Sequence, residues 1–332
     1  MFNYPYYKKL AEQYKYVFCE NLKTNICGFD KDTMNWWLMA YNLDGELAGD
    51  INPENTFVTT GIAINHEPHM GTVSQLLRAI YFQKMGYKTQ IILADLDSCN
   101  QRATSNEYID YSFKRYYEYV RKLGFDVEKG ILRGQINHPE VMKTAFMISS
   151  VVRDEDFYEV EEDISNYYRK LDIYEGINFS VKQAILLMLA DFIHPGYADD
   201  YKHIIVLSGI DEHTYVPKAN DVASRLGLDI SISGLFSSVI EGLNGQPKMS
   251  KSLPDSSIWA NMDDSEIRDI LMDMPDDYSD HHDSIIYQLM KNTWLPGAVD
   301  FHKIMFDCDN KNSAWHADKL NFVDYLSSIC VF

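Results

Sequence analysis

Two lysines stand three residues apart in the string Lys248-Met249-Ser250-Lys251-Ser252, directly after the glycine- and proline-bearing turn Glu241 to Pro247. A mobile loop of that composition can close over a triphosphate. Its ammonium groups then offset the charge that builds on pyrophosphate as it leaves. A lone Lys-x-x-Lys is ordinarily a solvated loop. The five-residue string is more specific: at about one in twenty per position, its chance occurrence in a chain of this length is roughly 10⁻⁴. Upstream, Pro68-His69-Met70-Gly71-Thr72 offers a second phosphate contact. Gly71 lets the backbone approach a nucleotide, and His69 and the Thr72 hydroxyl can donate. A helix beginning near Thr72 turns its N-terminus to the anion.

Such groups need a sheet to hold them. Thr56 to Gly61 is β-branched and aromatic and stops at glycine, which predicts a strand. A helical pattern follows from Thr72 to Gly86, with glycine at the stop. Thr89 to Asp95 is apolar until its final acid, as in a buried parallel strand with a functional group at its carboxyl end. Strand, helix and strand make a βαβ unit and predict an α/β fold with a doubly wound, Rossmann-like parallel sheet. His203 to Gly209 reads as a second buried strand, followed by a helix from Asp211 to Leu226. Further helices are expected over 107–123, Ala145 to Val152 and Val181 to Phe192, with the acidic stretch Arg153 to Asp163 solvated. The expected organisation is an aromatic-rich N-terminal extension (1–52, with Tyr6 to Cys19 as a helix) and a catalytic domain (53–262). The latter carries a helical insertion at about 107–192, and a small helical C-terminal domain (263–332) follows.

Composition bounds the function. With 46% hydrophobic residues among 332, a sizeable core can be buried. No apolar run reaches the length of a membrane span, and the N-terminus has no basic segment followed by an apolar one. The five cysteines are scattered without a CxxC pair, so neither a disulfide framework nor a cysteine zinc site is expected, and a cytoplasmic setting fits. His281-His282 beside Asp283 is the nearest approach to a metal cluster. Adjacent residues do not share a helix face, so a solvated turn and no metal site are expected there. The net charge of −19 lowers the expectation of a broad nucleic-acid interface.

The KMSKS string and the His-x-Gly-Thr turn, in this order, resemble the phosphate-binding motifs of class I aminoacyl-tRNA synthetases. The run Gly245 to Ile258 is similar to tryptophanyl-tRNA synthetases. So are Gly209-Ile210-Asp211-Glu212, Asp221 to Arg225, and Leu189-Ala190-Asp191-Phe192; Gly86 to Asp95 is close to the tyrosyl branch. The resemblance covers about residues 56 to 270 and implies ATP, Mg²⁺ carried in with it, an amino acid and tRNA as partners, and a homodimer. It implies catalytic roles for His69, Thr72, Lys248 and Lys251. ATP contacts would come from Gly61, His69, Gly71, Gly209, Asp211 (at the ribose), Lys248, Met249, Ser250 and Lys251. In the amino-acid pocket, Asp191 takes the place of the carboxylate that accepts from an indole N–H. Glu212 lies near the substrate ammonium, and Asp95 faces either that ammonium or a polar side chain. Two positions depart from the pattern: Thr72 replaces the second motif histidine, and Glu212 replaces glutamine.

The far end of the chain fits less well. Only 80 residues follow Ser252, and from Asp263 onward 14 acids face 5 Lys plus Arg, a net of −9 that repels phosphates. Three readings are therefore carried. The chain is a tryptophanyl-type (or tyrosyl-type) synthetase, a paralogue that adenylates an amino acid for another acceptor, or a non-catalytic nucleotide-binding protein on the same fold.

Overall fold

The computed structural model describes all residues except 1–3, 23, 24, 26, 44–50, 103, 104, 161–164, 173–175 and 296–298. Seven strands form one sheet: β1 (Val17–Phe18), β2 (Ala40–Tyr41), β3 (Thr56–Ala63), β4 (Lys88–Ala94), β5 (Ile131–Gly134), β6 (His203–Gly209) and β7 (Ser231–Ser237). Their order is β1-β2-β7-β6-β3-β4-β5. The five strands from β7 to β5 are parallel, whereas β1 and β2 join antiparallel at one edge. The N-terminal extension thus extends the sheet instead of only packing against it. Strands β4 and β6 are buried along nearly their whole length, as their unbroken apolar runs predict.

Fourteen helices are found among the described residues. The N-terminal segment supplies α1 (Tyr4–Gln13) and α2 (Lys31–Trp37). Between β3 and β6 lie α3 (Met70–Lys84), α4 (Asp95–Arg102), α5 (Asn106–Lys122), α6 (Pro139–Ile148), α7 (Asp154–Glu159), α8 (Ser165–Lys170) and α9 (Phe179–Ala198). Then come α10 (Tyr215–Arg225) before β7, and α11 (Asp264–Asp273), α12 (Ile285–Thr293), α13 (Phe301–Asn310) and α14 (Ser313–Ile329) after it. The glycine stop of α3 works as the sequence suggests. Gly86 has φ +93°, and the amides of Gly86 and Tyr87 donate to the carbonyls of Gln83 and Phe82, a left-handed helix cap. The same pair of bonds closes α5 at Gly124 and α10 at Gly227.

Three expectations change. The segment 107–192 is not purely helical, because β5 lies within it and pairs with β4. Arg133 interrupts that four-residue strand and hides its pattern. The acidic stretch is not wholly solvated: within α7, Asp156 is buried against Lys218 at 3.0 Å and Arg225 at 2.7 Å. Residues 161–163 of that stretch lie outside the described residues. The helix expected over 211–226 begins only at Tyr215, after a 3-10 turn over Ile210–Glu212.

One buried cation ties the layers together. Arg78 of α3 donates to the Trp37 carbonyl at 3.2 Å, to Ser74 Oγ at 3.1 Å and to Asn292 Oδ1 at 2.6 Å. The N-terminal segment, α3 and α12 therefore meet on a single guanidinium. The main apolar cluster likewise runs from Cys19 through Ile91 to Leu326.

Candidate active site

An open cleft of about 230 Å³ lies outside the carboxyl ends of β3, β6 and β7. Strand order reverses between β3 and β6, and such a switch point is where open α/β sheets bind ligands. The cleft is lined by Gly61, His69, Gly71, Thr72, Gly209, Asp211, Glu212 and all five residues from Lys248 to Ser252. The structure thus brings together every residue assigned to ATP, and Glu212 with them.

His69 caps α3, and its Nδ1 accepts from the Gly71 amide at 3.1 Å. That bond fixes the tautomer, leaving Nε2 to carry the proton and donate. Burial, helped by Lys251 and Lys248, pushes its pKa down to about 3, so the ring is a neutral donor at physiological pH. Gly71 is required for this geometry. A Cβ there would sit 2.8 Å from His69 Cε1.

The lysine loop is pinned to this helix start from behind. The Met70 amide donates to the Ile258 carbonyl and the Ala260 amide to the Pro68 carbonyl, at 3.1 and 2.9 Å. The Ser250 amide reaches Ser256 Oγ and Ser257 Oγ, both at 3.1 Å. Met249 is buried and acts as the loop's apolar anchor. Lys248 Nζ lies 2.7 Å from Asp211 Oδ2. Asp211 can take this pose because Gly209 lacks a Cβ, which would fall 2.3 Å from Asp211 Oδ1. Lys251 donates to the Ala63 carbonyl and, at 3.1 Å, to the Tyr116 hydroxyl. Tyr168 of α8 closes over the loop, its hydroxyl 3.1 Å from Ser250 Oγ. Tyr116 and Tyr168 were not among the expected site residues. Nothing in their local sequence marks them, since this chain has 23 tyrosines.

Asp95 and Asp191 do not line the cleft. They sit across β3 from it, in a buried polar network at the ends of β4 and β5. Asp95 Oδ1 accepts from the amides of Leu96, Gln135 and Ile136 at 2.8, 2.7 and 3.2 Å. Asp191 pairs with Arg133 at 2.5 Å and accepts from Gln135 Nε2 at 3.0 Å. Arg133 Nε in turn donates to Gln90 Oε1 at 2.9 Å. Arg133, a lone charge in the short run Ile131-Leu132-Arg133-Gly134, is the residue the sequence reading missed here.

A helix N-terminus, two lysines and a neutral imidazole donor suit a polyphosphate. Comparison with known proteins places this geometry. A sequence profile of the tRNA synthetases class I (W and Y) matches residues 53–289, and the chain belongs to that family. It is 24% identical over 240 residues to the tryptophan–tRNA ligase of Aeropyrum pernix, covering 66% of this chain and 57% of that one. With the tryptophan–tRNA ligase 1 of Halobacterium salinarum it shares 25% over 174 residues, 52% of this chain and 32% of the relative. The chain thus spans less than two thirds of the length of these curated relatives. Among solved structures it resembles a tryptophanyl-tRNA synthetase from Encephalitozoon cuniculi bound to tryptophan, with TM-score 0.76, 16% identity and coverage of 97% and 92%. It also resembles the tyrosyl-tRNA synthetase of Archaeoglobus fulgidus complexed with L-tyrosine, with TM-score 0.67, 17% identity and coverage of 83% and 88%. No helix among the described residues is long and apolar enough to cross a membrane.

Proposed function

We propose that the chain joins an amino acid to ATP as an aminoacyl adenylate and passes the acyl group to tRNA. The observation that carries this is the convergence of the His69-Gly71-Thr72 helix start and both loop lysines on one cleft at the sheet's switch point. The amino-acid carboxylate oxygen attacks the α-phosphorus, and the bond to the bridging oxygen of pyrophosphate breaks. Side chains move no proton in this step, so alignment and charge stabilisation supply the rate. His69 Nε2–H and Thr72 donate to phosphate oxygens, and Lys248 and Lys251 take the charge on pyrophosphate. Asp211 then turns to the ribose, and Glu212 meets the substrate ammonium. Mg²⁺ fits as an ion carried by the phosphates, with Asp211 and Glu212 the carboxylates lining the cleft.

Tryptophan is the first amino acid to test, on the strength of the relatives. The polar network favours a second reading. Indole N–H only donates, and a lone carboxylate answers it. Here Arg133 brings N–H donors beside Asp191, and three of its five N–H are engaged by Gln90, the Gly134 carbonyl and Asp191. A phenol hydroxyl, which both donates and accepts, matches that pairing better, so tyrosine is the alternative. ATP–pyrophosphate exchange with each of the twenty amino acids decides between them. Absence of exchange with all twenty sinks the enzyme reading and leaves a non-catalytic nucleotide binder. Exchange without charging of total tRNA transfers the case to a paralogue with another acceptor, which the net −9 of residues 263–332 favours. The expected homodimer has support in Phe146, 81% exposed on α6 beside Met147 and Tyr197. Sedimentation at micromolar concentration tests it. A cytoplasmic location remains the reading from cysteine usage.

A further inference from the structure

The paired histidines before α12 do not behave as a solvated turn. A 3-10 turn over His281–Asp283 stacks the two rings with centroids 4.1 Å apart, tilted by 37°. Both side chains are mostly buried, at 12% and 20% exposure. Each imidazole Nδ1 meets a carboxylate: His282 and Asp280 at 2.7 Å, His281 and Asp309 at 2.9 Å. Asp280 Oδ1 lies 3.9 Å from His281 Nδ1. One ligand atom from each of Asp280, His281 and His282 falls within 4.8 Å of the others.

We propose that Asp280, His281 and His282 bind a divalent ion of the zinc class, with Asp309 supporting His281 from beside it. Tetrahedral zinc with nitrogen and oxygen ligands near 2.0–2.2 Å needs ligand atoms about 3.3 Å apart. The Nδ1–Oδ1 spacings of 2.7 and 3.9 Å within the triad bracket that value, so shifts of roughly half an ångström bring its three ligand atoms around one ion. Two imidazoles select zinc, nickel or copper over calcium and magnesium, which prefer all-oxygen shells. Charge points the same way. Among the described residues neither Asp280 nor Asp309 pairs with a Lys or Arg, and a third carboxylate, Glu20, lies 3.4 Å from His282 Nε2, so the histidine pair sits among negative groups that favour a dication. Binding replaces each Nδ1 proton by the metal and releases those protons to solvent. The ion holds the turn ahead of α12, beside the end of α13 and apart from the nucleotide cleft.

The test is zinc titration of the chelator-stripped full chain by calorimetry, with metal content after gel filtration. About one zinc per chain is expected, with micromolar or tighter affinity and a raised melting temperature. His281→Ala and His282→Ala each weaken binding at least about tenfold. Asp309→Asn, which preserves shape and guards against a folding artefact, weakens it too. Pyrophosphate exchange is unchanged in all three. No zinc bound at 50-fold excess overturns the proposal. So does equal affinity in a folded His281→Ala/His282→Ala double variant, which would place the ion elsewhere.

Discussion

On the proposed role, replacing Lys248 by Gln removes one cation from the leaving pyrophosphate and, in the free enzyme, its pair with Asp211. The side chains of Lys248 and Asp211 are 13% and 12% exposed, so their 2.7 Å pair sits in a largely water-excluded place. A preorganised charge at such a site contributes about 2.7–4 kcal/mol to the transition state. Lys248 must first leave Asp211, and a pair at the mouth of a cleft is worth about 1 kcal/mol. The net is about 2–3 kcal/mol, which predicts a 30- to 150-fold fall in kcat for exchange. Lys251 donates to two neutral groups, the Ala63 carbonyl and the Tyr116 hydroxyl. Lys251→Gln therefore loses more, about 10²–10³-fold. The double variant falls short of the product, because both lysines act on one leaving group. ATP–pyrophosphate exchange at saturating ATP and amino acid measures all three. A Lys248→Gln enzyme within about threefold of the parent, or one worse than Lys251→Gln, refutes the assignment of partners and roles.

Gly71→Ala drives a methyl against His69 and turns the ring off the cleft. Michaelis constants for ATP should rise about tenfold while the melting temperature holds or rises, since alanine favours the helix by about 0.5–1 kcal/mol. A fall in stability with unchanged KM contradicts this. Asp156 is held well below the usual carboxylate range, first by its bond to Arg225 and then by Arg153's amide and Lys218. Its stabilisation is full above the unfolded-state pKa of about 4 and is lost as pH falls through the depressed folded value. Urea midpoints of Asp156→Asn should be lower at pH 7 and converge on the parent in acid; parallel curves rule the linkage out. Arg133→Met leaves Asp191 charged, buried and without its cation, costing about 3–5 kcal/mol, whereas Arg133→Met/Asp191→Leu recovers most of it. Denaturant melts decide, and a double variant as weak as the single removes the ion pair as the cause.

The parts of the fold legible in the sequence are those set by local rules. A β-branched and aromatic run marked β3, apolar runs marked β4 and β6, and Gly86 marked a helix stop because only a left-handed residue completes that cap. The edge strands β1 and β2 are two residues each and draw their stability from β7, so no period announces them. Asp156 read as surface charge because its partners lie 62 and 69 residues away.

The two halves of the candidate site divide along the same line. Phosphate binding uses backbone amides, a helix start and a glycine that must lack a side chain. Each is a short-range demand, so a five-residue string can carry it. Side-chain recognition instead depends on what surrounds one carboxylate. Asp191 alone is an acceptor. Beside Arg133, from a strand 58 positions earlier, it becomes half of a donor–acceptor pair. That pairing is invisible in Leu189-Ala190-Asp191-Phe192. Two chains can thus share this run, the fold and the adenylation chemistry while differing in the amino acid they take. Under the proposed adenylation reading, Arg133 beside Asp191 predicts a preference for an amino-acid side chain that can accept as well as donate.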